Sequence, residues 1–142
     1  MAGSGSFEEF YGGAVGRLVG QLFPVTGDLH EAEEVVQEAF TRAAARWSRL
    51  RDYDVPEAWV RRVAMNLAAD RARRLRRQTR AMLRLSPPPA VPPISVEALA
   101  LAQALRTLPV RQRQVIVLHH LADLPIEEVA RTLAIRDGTV KS

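Results

Sequence analysis

The stretch that decides the fold lies at the end of the chain and reads Leu124-Pro-Ile-Glu-Glu-Val-Ala-Arg-Thr-Leu-Ala-Ile-Arg-Asp-Gly-Thr-Val-Lys-Ser142. Its apolar spacing predicts a short helix from Ile126 to Leu133, and Asp137-Gly-Thr139 is expected to begin another after a tight turn. Short helices joined in this way are typical of a helix-turn-helix, whose second helix normally enters a DNA groove. Because the sequence ends at Ser142, we expect only the start of that second helix.

Helical spacing of apolar residues continues through the rest of the chain, and strand patterns are scarce. We expect a first helix from Phe7 to Phe23, ended by Pro24 and Gly27. Asp28-Leu-His-Glu31 is a capping-box pattern and predicts the start of a second helix. Asp54-Val-Pro-Glu57 predicts the start of a third. A helix in the second half of the chain is expected to place three residues in the core: Val115, Leu118 and Leu121.

A proline-rich segment interrupts the helical pattern and reads Ser86-Pro-Pro-Pro-Ala-Val-Pro-Pro93. Proline lacks an amide donor and clashes with the preceding helical turn, so we expect an extended, semi-stiff linker here. The sequence therefore predicts an all-α fold of two small helical domains, a helical bundle and a helix-turn-helix domain. Their predicted bounds are residues 1–80 for the bundle, 81–96 for the linker and 97–142 for the second domain.

The charges are distributed unevenly along the chain, which has 20 Lys and Arg, 16 Asp and Glu, and a net charge of +4. Nine arginines and a single acid, Asp70, fall between Arg61 and Arg84, a local balance of +8 that leaves −4 for the remainder. Acids concentrate between Asp28 and Glu38, a segment without Lys or Arg. One basic and one acidic surface suggest two different partners, and the alternative is two solvated helix faces.

The composition excludes several classes of protein. Hydrophobic residues make up 47% of the chain, which is enough for a real core. The absence of cysteine excludes disulfides and thiolate metal sites. No apolar run approaches the roughly 18 residues of a membrane span, and the N-terminus lacks the features of a signal peptide. We therefore expect a soluble, cytoplasmic protein.

The basic segment has the residue types of a nucleic-acid surface. Arginines at this density neutralise phosphates, and the binding energy then comes mainly from counterion release. Trp59 and Tyr53 lie near the start of the segment, where an aromatic ring can stack on an unpaired base. Asn66 can pair with an adenine edge. The alternatives are core packing for Trp59 and a solvated helix position for Asn66.

A carboxylate–histidine metal site is the main enzymatic alternative. Its candidate ligands are His30, Glu31, Glu34, Glu38, His119 and His120. Helical metal proteins of that kind use paired Glu-x-x-His motifs facing inward, and this chain has no such motif. We therefore expect neither a metal nor another cofactor.

Three motifs together resemble a known family. They are Glu31-Ala-Glu-Glu-Val-Val-Gln-Glu-Ala-Phe-Thr-Arg-Ala43, the segment from Pro56 to Arg74, and Leu108-Pro-Val-Arg-Gln-Arg-Gln-Val-Ile-Val-Leu118 followed by Gly138-Thr-Val-Lys-Ser142. In this order, with a proline-bearing linker, they resemble regions 2.2, 2.3–2.4 and 4 of bacterial RNA polymerase sigma factors. The resemblance is to the extracytoplasmic-function (ECF) group of the sigma-70 family, which keeps regions 2 and 4 alone.

The resemblance implies a function that is not enzymatic in itself: directing RNA polymerase to promoters and initiating transcription. The implied partners are the clamp helices of the polymerase's largest subunit, promoter DNA and, as a further candidate, an anti-sigma factor. The residues implied for polymerase docking are Glu31, Glu34, Gln37 and Glu38. Those implied for minus-ten binding and melting are Asp52, Tyr53, Asp54, Trp59, Arg62, Asn66, Arg73, Arg74 and Arg77. Those implied for the minus-thirty-five element are Thr139, Lys141 and Ser142.

One alternative function stays open from the residues themselves. A helix-turn-helix regulator that binds duplex DNA without polymerase would account for the end of the chain. Such regulators usually dimerise, and no coiled-coil seam is evident. This alternative leaves the acidic helix and Trp59 unexplained.

The chain departs from the family pattern near its end. Ala134 stands where the turn often has glycine, and if that position needs a positive φ, alanine fits worse by about 1 kcal/mol. Arg136 replaces the usual serine cap, and Asp137 is the substitute cap. Since the sequence ends at Ser142, we expect weak or absent reading of the minus-thirty-five element.

Overall fold

The computed structural model describes residues 6–52, 55–79 and 95–134, with side chains for all of these but 76–79, and every regular element among them is helical. This confirms the all-α fold class. The helices are α1 (Phe7–Thr26), α2 (Leu29–Ala45), α3 (Trp47–Leu50), α4 (Pro56–Thr79), α5 (Val96–Leu105), α6 (Val110–Ile116) and α7 (Ile126–Leu133). A π-helical turn, Val117–Leu121, continues α6.

Helix α1 runs past the residue where we expected it to end. Pro24 lies inside the helix and is buried, so the prediction that it ends the helix at Phe23 is wrong. Proline removes the hydrogen bond that its own nitrogen would donate and crowds the preceding turn, and here both costs fall near the end of the helix. The helix ends at Gly27, whose φ of 75° needs a glycine and whose N–H donates to the Phe23 carbonyl at 2.8 Å.

Helices α1, α2 and α4 enclose the first part of the core. Asp28 caps α2 as predicted, its carboxylate accepting from the Glu31 N–H at 3.2 Å. The buried stripe of α2 faces α1 and α4 and includes Phe40, which is 2% exposed. This stripe leaves the glutamates of α2 on its outer side.

Helices α5, α6 and α7 lie against α1 and α4, and one apolar cluster runs through both groups. Gln114 in α6 is fully buried, and its side-chain amide donates to the Met65 carbonyl of α4 at 2.7 Å. Leu105 and Val117 are buried in the same cluster. The described helices therefore form two groups that pack against each other.

The π-helical turn changes which side chains of the second group reach the core. The Ala122 N–H donates to the Val117 carbonyl at 2.9 Å, so the turn holds one residue more than an α-turn. Leu118 is buried as predicted, but Leu121 is 43% exposed, and its predicted core position is wrong. The extra residue rotates Leu121 away from the face that carries Gln114 and Leu118. Val115 is half-buried.

Helix α7 ends at Ala134 in the left-handed conformation, with φ 58° and ψ 46°. This is the positive φ that the turn of a helix-turn-helix was expected to need. Alanine carries a steric cost there that glycine avoids. The expected second helix, beginning near Asp137, lies outside the described residues.

Candidate protein and nucleic-acid interfaces

The outer side of α2 brings together the four residues expected to bind polymerase. We call Glu31, Glu34, Gln37 and Glu38 the acidic face. Glu34, Gln37 and Glu38 line a shallow open depression together with Arg71 of α4, and Glu31 contacts the same arginine. The side chains of Glu34 and Glu38 are each 46% exposed, and that of Glu31 is 23% exposed. The acidic face is therefore accessible to a partner.

Cations already neutralise part of the acidic face. Arg71 lies 2.8 Å from Glu34 and 3.4 Å from Glu31, and the hydrogen bond from Arg71 holds the pKa of Glu34 below its usual range. His30 lies 3.0 Å from Glu34, and Arg42 lies 3.2 Å from Glu38. The segment from Asp28 to Glu38 contains no Lys or Arg of its own. Arg71 reaches it from α4 and lies 37 residues from Glu34 in the sequence.

Gln37 lies on the acidic face with its own partner. Its side-chain amide donates to the Tyr11 hydroxyl of α1. This hydrogen bond fixes Gln37 beside the glutamates while the residue stays exposed.

One exposed side of α4 carries the residues expected to bind promoter DNA. We call Trp59, Arg62, Asn66, Asp70 and Arg73 the α4 stripe, since their spacing places them along one side of the helix. Arg62, Asn66 and Arg73 are exposed, and Trp59 is half-buried, so the ring both packs and presents an accessible part. Arg73 pairs with Asp70. Because Asp70 lies within the stripe, it lowers the positive charge available there.

The remaining predicted minus-ten residues are placed only in part. Arg74 is exposed next to the stripe, and Asp52 is exposed at the end of a described segment. Tyr53, Asp54 and the Arg77 side chain lie outside the described residues. So do Thr139, Lys141 and Ser142, the three residues expected to read the minus-thirty-five element.

Two arginines of the basic segment bind acidic or polar side chains of other helices and are not part of the stripe. Arg61 is 8% exposed, its Nε donates to Gln21 Oε1 at 3.0 Å, and its other end lies 3.1 Å from Glu57. Burial lowers the pKa of Arg61, and the Arg17 hydrogen bond lowers the pKa of Glu57. Arg71 is the second, since it pairs with Glu31 and Glu34 of the acidic face. The local charge therefore overstates the charge of the α4 stripe.

Sequence reasoning missed one cation beside the stripe. Arg46 caps the end of α2, and its guanidinium carbon lies 5.9 Å from the centroid of the Trp59 ring. Two different helices bring the pair together, so no local spacing could show it.

Helix α7 lies near the start of the α4 stripe. Glu128, Arg131 and Thr132 line a small cleft together with Trp59 and Arg62. The first helix of the expected helix-turn-helix therefore faces residues that we expect to contact the melted promoter.

The described residues show neither a membrane span nor a metal cluster. No helix in the described ranges has the length and apolar character of a membrane span. In the same part of the chain, no group of three or more His, Cys, Asp or Glu could hold a metal ion.

Comparisons with known proteins identify two family regions along the chain. A family profile described as Sigma-70 region 2 matches residues 11–78, and one described as Sigma-70, region 4 matches residues 98–142. The chain is 30% identical to the RNA polymerase sigma-E factor of Streptomyces coelicolor over 138 residues, covering 96% of this chain and 78% of that one. It is 31% identical to the ECF RNA polymerase sigma factor SigW of Bacillus subtilis, covering 84% and 73%.

A solved structure shares the fold. It is the sigma factor RpoE in complex with the anti-sigma factor NepR from Bartonella quintana, which matches with a TM-score of 0.76 and 20% identity. The match covers 95% of this chain and 87% of that one.

An all-helical chain that matches region 2 and region 4 in that order is a transcription initiation factor by class. The chain belongs to the sigma-70 family, in its extracytoplasmic-function (ECF) group. Its function is that of a sigma factor, which directs RNA polymerase in transcription initiation.

Proposed function

We propose that this sigma factor docks on core RNA polymerase through the acidic face of α2 and binds the minus-ten region of promoter DNA along the α4 stripe. The observation that carries the proposal is the placement of two exposed surfaces of opposite chemistry on neighbouring helices. The Arg71–Glu34 pair joins those helices. A single rigid unit can therefore hold the polymerase on one side and DNA on another.

Docking through the acidic face requires an exchange of partners. A basic helix of the polymerase clamp would replace Arg71 and Arg42 as the cations beside Glu34 and Glu38. Exposed ion pairs contribute roughly 0–1 kcal/mol, so giving them up costs little. Complementary charge then guides the encounter and fixes the orientation of the two proteins.

Promoter binding combines three kinds of contact on α4. Arg62, Arg73 and Arg74 would bind phosphates, since exposed arginines neutralise the backbone. Asn66 would bind a base edge. Trp59 would stack on an unpaired base, an interaction of about 1–3 kcal/mol.

The rest of the proposal concerns residues that lie away from the acidic face and the α4 stripe, and a further partner. Asp52, Tyr53, Asp54 and Arg77 are proposed as further minus-ten contacts, and Thr139, Lys141 and Ser142 as minus-thirty-five contacts. The protein would act in the cytoplasm without catalysing a reaction itself, since the polymerase performs the chemistry. An anti-sigma factor is proposed as a regulatory partner.

We also propose that the two helical groups are the two promoter-reading domains, with bounds 1–80 and 97–142 and a linker over 81–96. The minus-ten and minus-thirty-five elements lie about 25 base pairs apart, or roughly 85 Å at about 3.4 Å per pair. A folded chain of this size has a radius of gyration of about 14 Å. The two groups would therefore have to separate before both elements could be bound at once.

Charge reversal on the acidic face tests the docking surface. We expect the double variant Glu34→Lys/Glu38→Lys to lose co-purification with core RNA polymerase, because the two introduced lysines would repel a basic partner helix. The matched control is Glu8→Lys/Glu9→Lys, which makes the same charge change on exposed positions of α1. Thermal unfolding would show whether each variant is folded. If the α2 double variant binds core polymerase as the wild type does, the docking surface is wrongly assigned.

A further inference from the structure

The end of α2 and the short helix α3 that follows it carry basic side chains that the proposed interfaces do not use. Arg46, Arg49 and Arg51 are all exposed. None of the three has a carboxylate partner among residues 6–52, 55–79 and 95–134, whereas Arg61, Arg71 and Arg73 each have one. Although the exposed Asp52 follows directly, three cations that form no ion pair favour an anionic ligand.

Arg46 has the most defined position of the three. Its N–H donates to the Ala43 carbonyl at 3.0 Å, and its own carbonyl accepts from Arg49 and Leu50 at 3.0 and 2.9 Å. These bonds fix the backbone from which the side chain extends. Its guanidinium carbon lies 5.9 Å from the Trp59 ring centroid, within the range of a cation–π contact.

The neighbour of Arg46 indicates which anion would bind there. Trp59 starts the α4 stripe and lies beside Arg62, with both residues lining one small cleft. Proteins that hold single-stranded DNA combine an aromatic ring for the base with a nearby cation for the backbone. Arg46 and Trp59 have these two chemistries side by side.

We propose that Arg46 is a further promoter contact, which binds the phosphate of an unpaired nucleotide whose base stacks on Trp59. This inference rests on the proposed function of the α4 stripe. It extends the DNA-binding surface from α4 onto the end of α2, the helix that carries the acidic face. One helix would then contact polymerase along its side and DNA at its C-terminal end.

The test measures the salt dependence of single-strand binding. The full-length chain is assembled with core RNA polymerase, and a fluorescently labelled oligothymidylate is titrated at several salt concentrations. We expect Arg46→Ala to reduce the slope of log affinity against log salt by about 0.7, the value for one phosphate contact on a single strand. Arg46→Lys keeps the charge, so its slope should match that of the wild type.

Arg49→Ala is the matched control, because Arg49 is an exposed arginine of the adjacent helix α3. We expect the wild-type slope for it. Trp59→Ala should weaken binding roughly tenfold with an unchanged slope, since it removes stacking and no charge. When Trp59→Ala and Arg46→Ala are combined, the losses should not be additive, because the two side chains hold one nucleotide.

The inference and the proposed function fail in different ways. If the wild-type chain does not assemble with core polymerase, the docking proposal is wrong. If assembly is normal and Arg46→Ala keeps the wild-type slope, Arg46 only covers the Trp59 ring and the inference is overturned. If Arg46→Ala and Arg49→Ala reduce the slope of log affinity against log salt equally, the inference is also overturned. That result would show that the general positive charge of this surface, and not a specific contact of Arg46, sets the salt dependence.

Discussion

The two helical groups of this sigma factor differ in how they form their cores. The α1–α4 group packs long helices around aromatic rings, with Phe10 stacked on Trp47 at 5.1 Å and Tyr11 edge-on to Phe40 at 4.9 Å between centroids. The α5–α7 group has short helices, and no Phe, Tyr or Trp occurs after Trp59 in the sequence. The first group can bury a core by itself, whereas the second completes its core against α1 and α4.

Two buried polar contacts differ in chemistry, one inside the first group and one at the interface between the groups. In the first group Arg61 is charged and is held by Gln21 and Glu57. At the interface Gln114 is neutral and donates to the Met65 carbonyl. A buried charge that loses a partner costs more than a neutral amide that does so. The first group should therefore be the more sensitive to substitution, and the interface the easier to open.

The largest expected effect comes from removing the charge of Glu57, which contacts both Arg17 and Arg61. We expect Glu57→Gln to lower the free energy of unfolding by roughly 2 kcal/mol at neutral pH, because hydrogen bonds to charged groups contribute about 1.5–3 kcal/mol. The measurement is chemical denaturation. The matched control is Glu97→Gln, which removes a first-turn acid from α5 and should cost less than about 1 kcal/mol.

The effect of Glu57→Gln on the free energy of unfolding should depend on pH, because the pKa of Glu57 is lowered in the folded state. The Arg17 hydrogen bond lowers the pKa of Glu57 in the folded state. A lowered pKa contributes stability above the unfolded value, about 4.3, and that stability is lost as the pH falls through the folded pKa. The difference between wild type and Glu57→Gln should therefore be full at neutral pH and shrink in acid. A difference that grows in acid would contradict this assignment.

A smaller effect, about 1–2 kcal/mol, is expected from Gln114→Leu, which replaces the buried amide at the interface with an apolar group of similar size. Hydrogen exchange should accelerate in α5–α7 while α1–α4 keep their protection. This result would sharpen the contrast between the two groups. Equal loss of protection in both groups would contradict that difference, because it would show that all the helices unfold as one unit.

The sequence predicted those features that depend on local spacing. Asp28 was identified as a cap from its neighbours, and Leu118 was assigned to the core from the apolar spacing of its helix. Features that join distant positions were not predictable, because spacing within one helix carries no information about contacts with another. The Arg71–Glu34 pair and the Arg46–Trp59 contact are of this kind.

Two other interpretations of the sequence differ from the structure, for different physical reasons. Arg61 was counted with the basic segment because arginine is usually exposed, whereas here Gln21 and Glu57 satisfy it inside the fold. Leu121 was assigned to the core from regular helical spacing, which the π-helical turn interrupts. Hydrogen bonding to the fifth residue has no simple sequence pattern, so the shift becomes visible only in the structure.

The smallest expected effect concerns Ala134 at the end of α7, where the φ of 58° is unfavourable for any residue with a Cβ. We expect Ala134→Gly to stabilise the α5–α7 group by about 0.5–1 kcal/mol, because relief of this strain exceeds the entropy that glycine adds to the unfolded chain.

Hydrogen exchange of α7 would measure that gain, with α1–α4 as the internal reference. Ala100→Gly is the matched control, since Ala100 is an exposed position in the middle of α5 where the same substitution should destabilise by about 1 kcal/mol. Opposite signs for the two variants would show that the turn after α7 is held in a conformation that its own residue disfavours. Destabilisation by both would mean that Ala134 is not strained in solution, and the turn would then differ from the glycine-type turn of a helix-turn-helix.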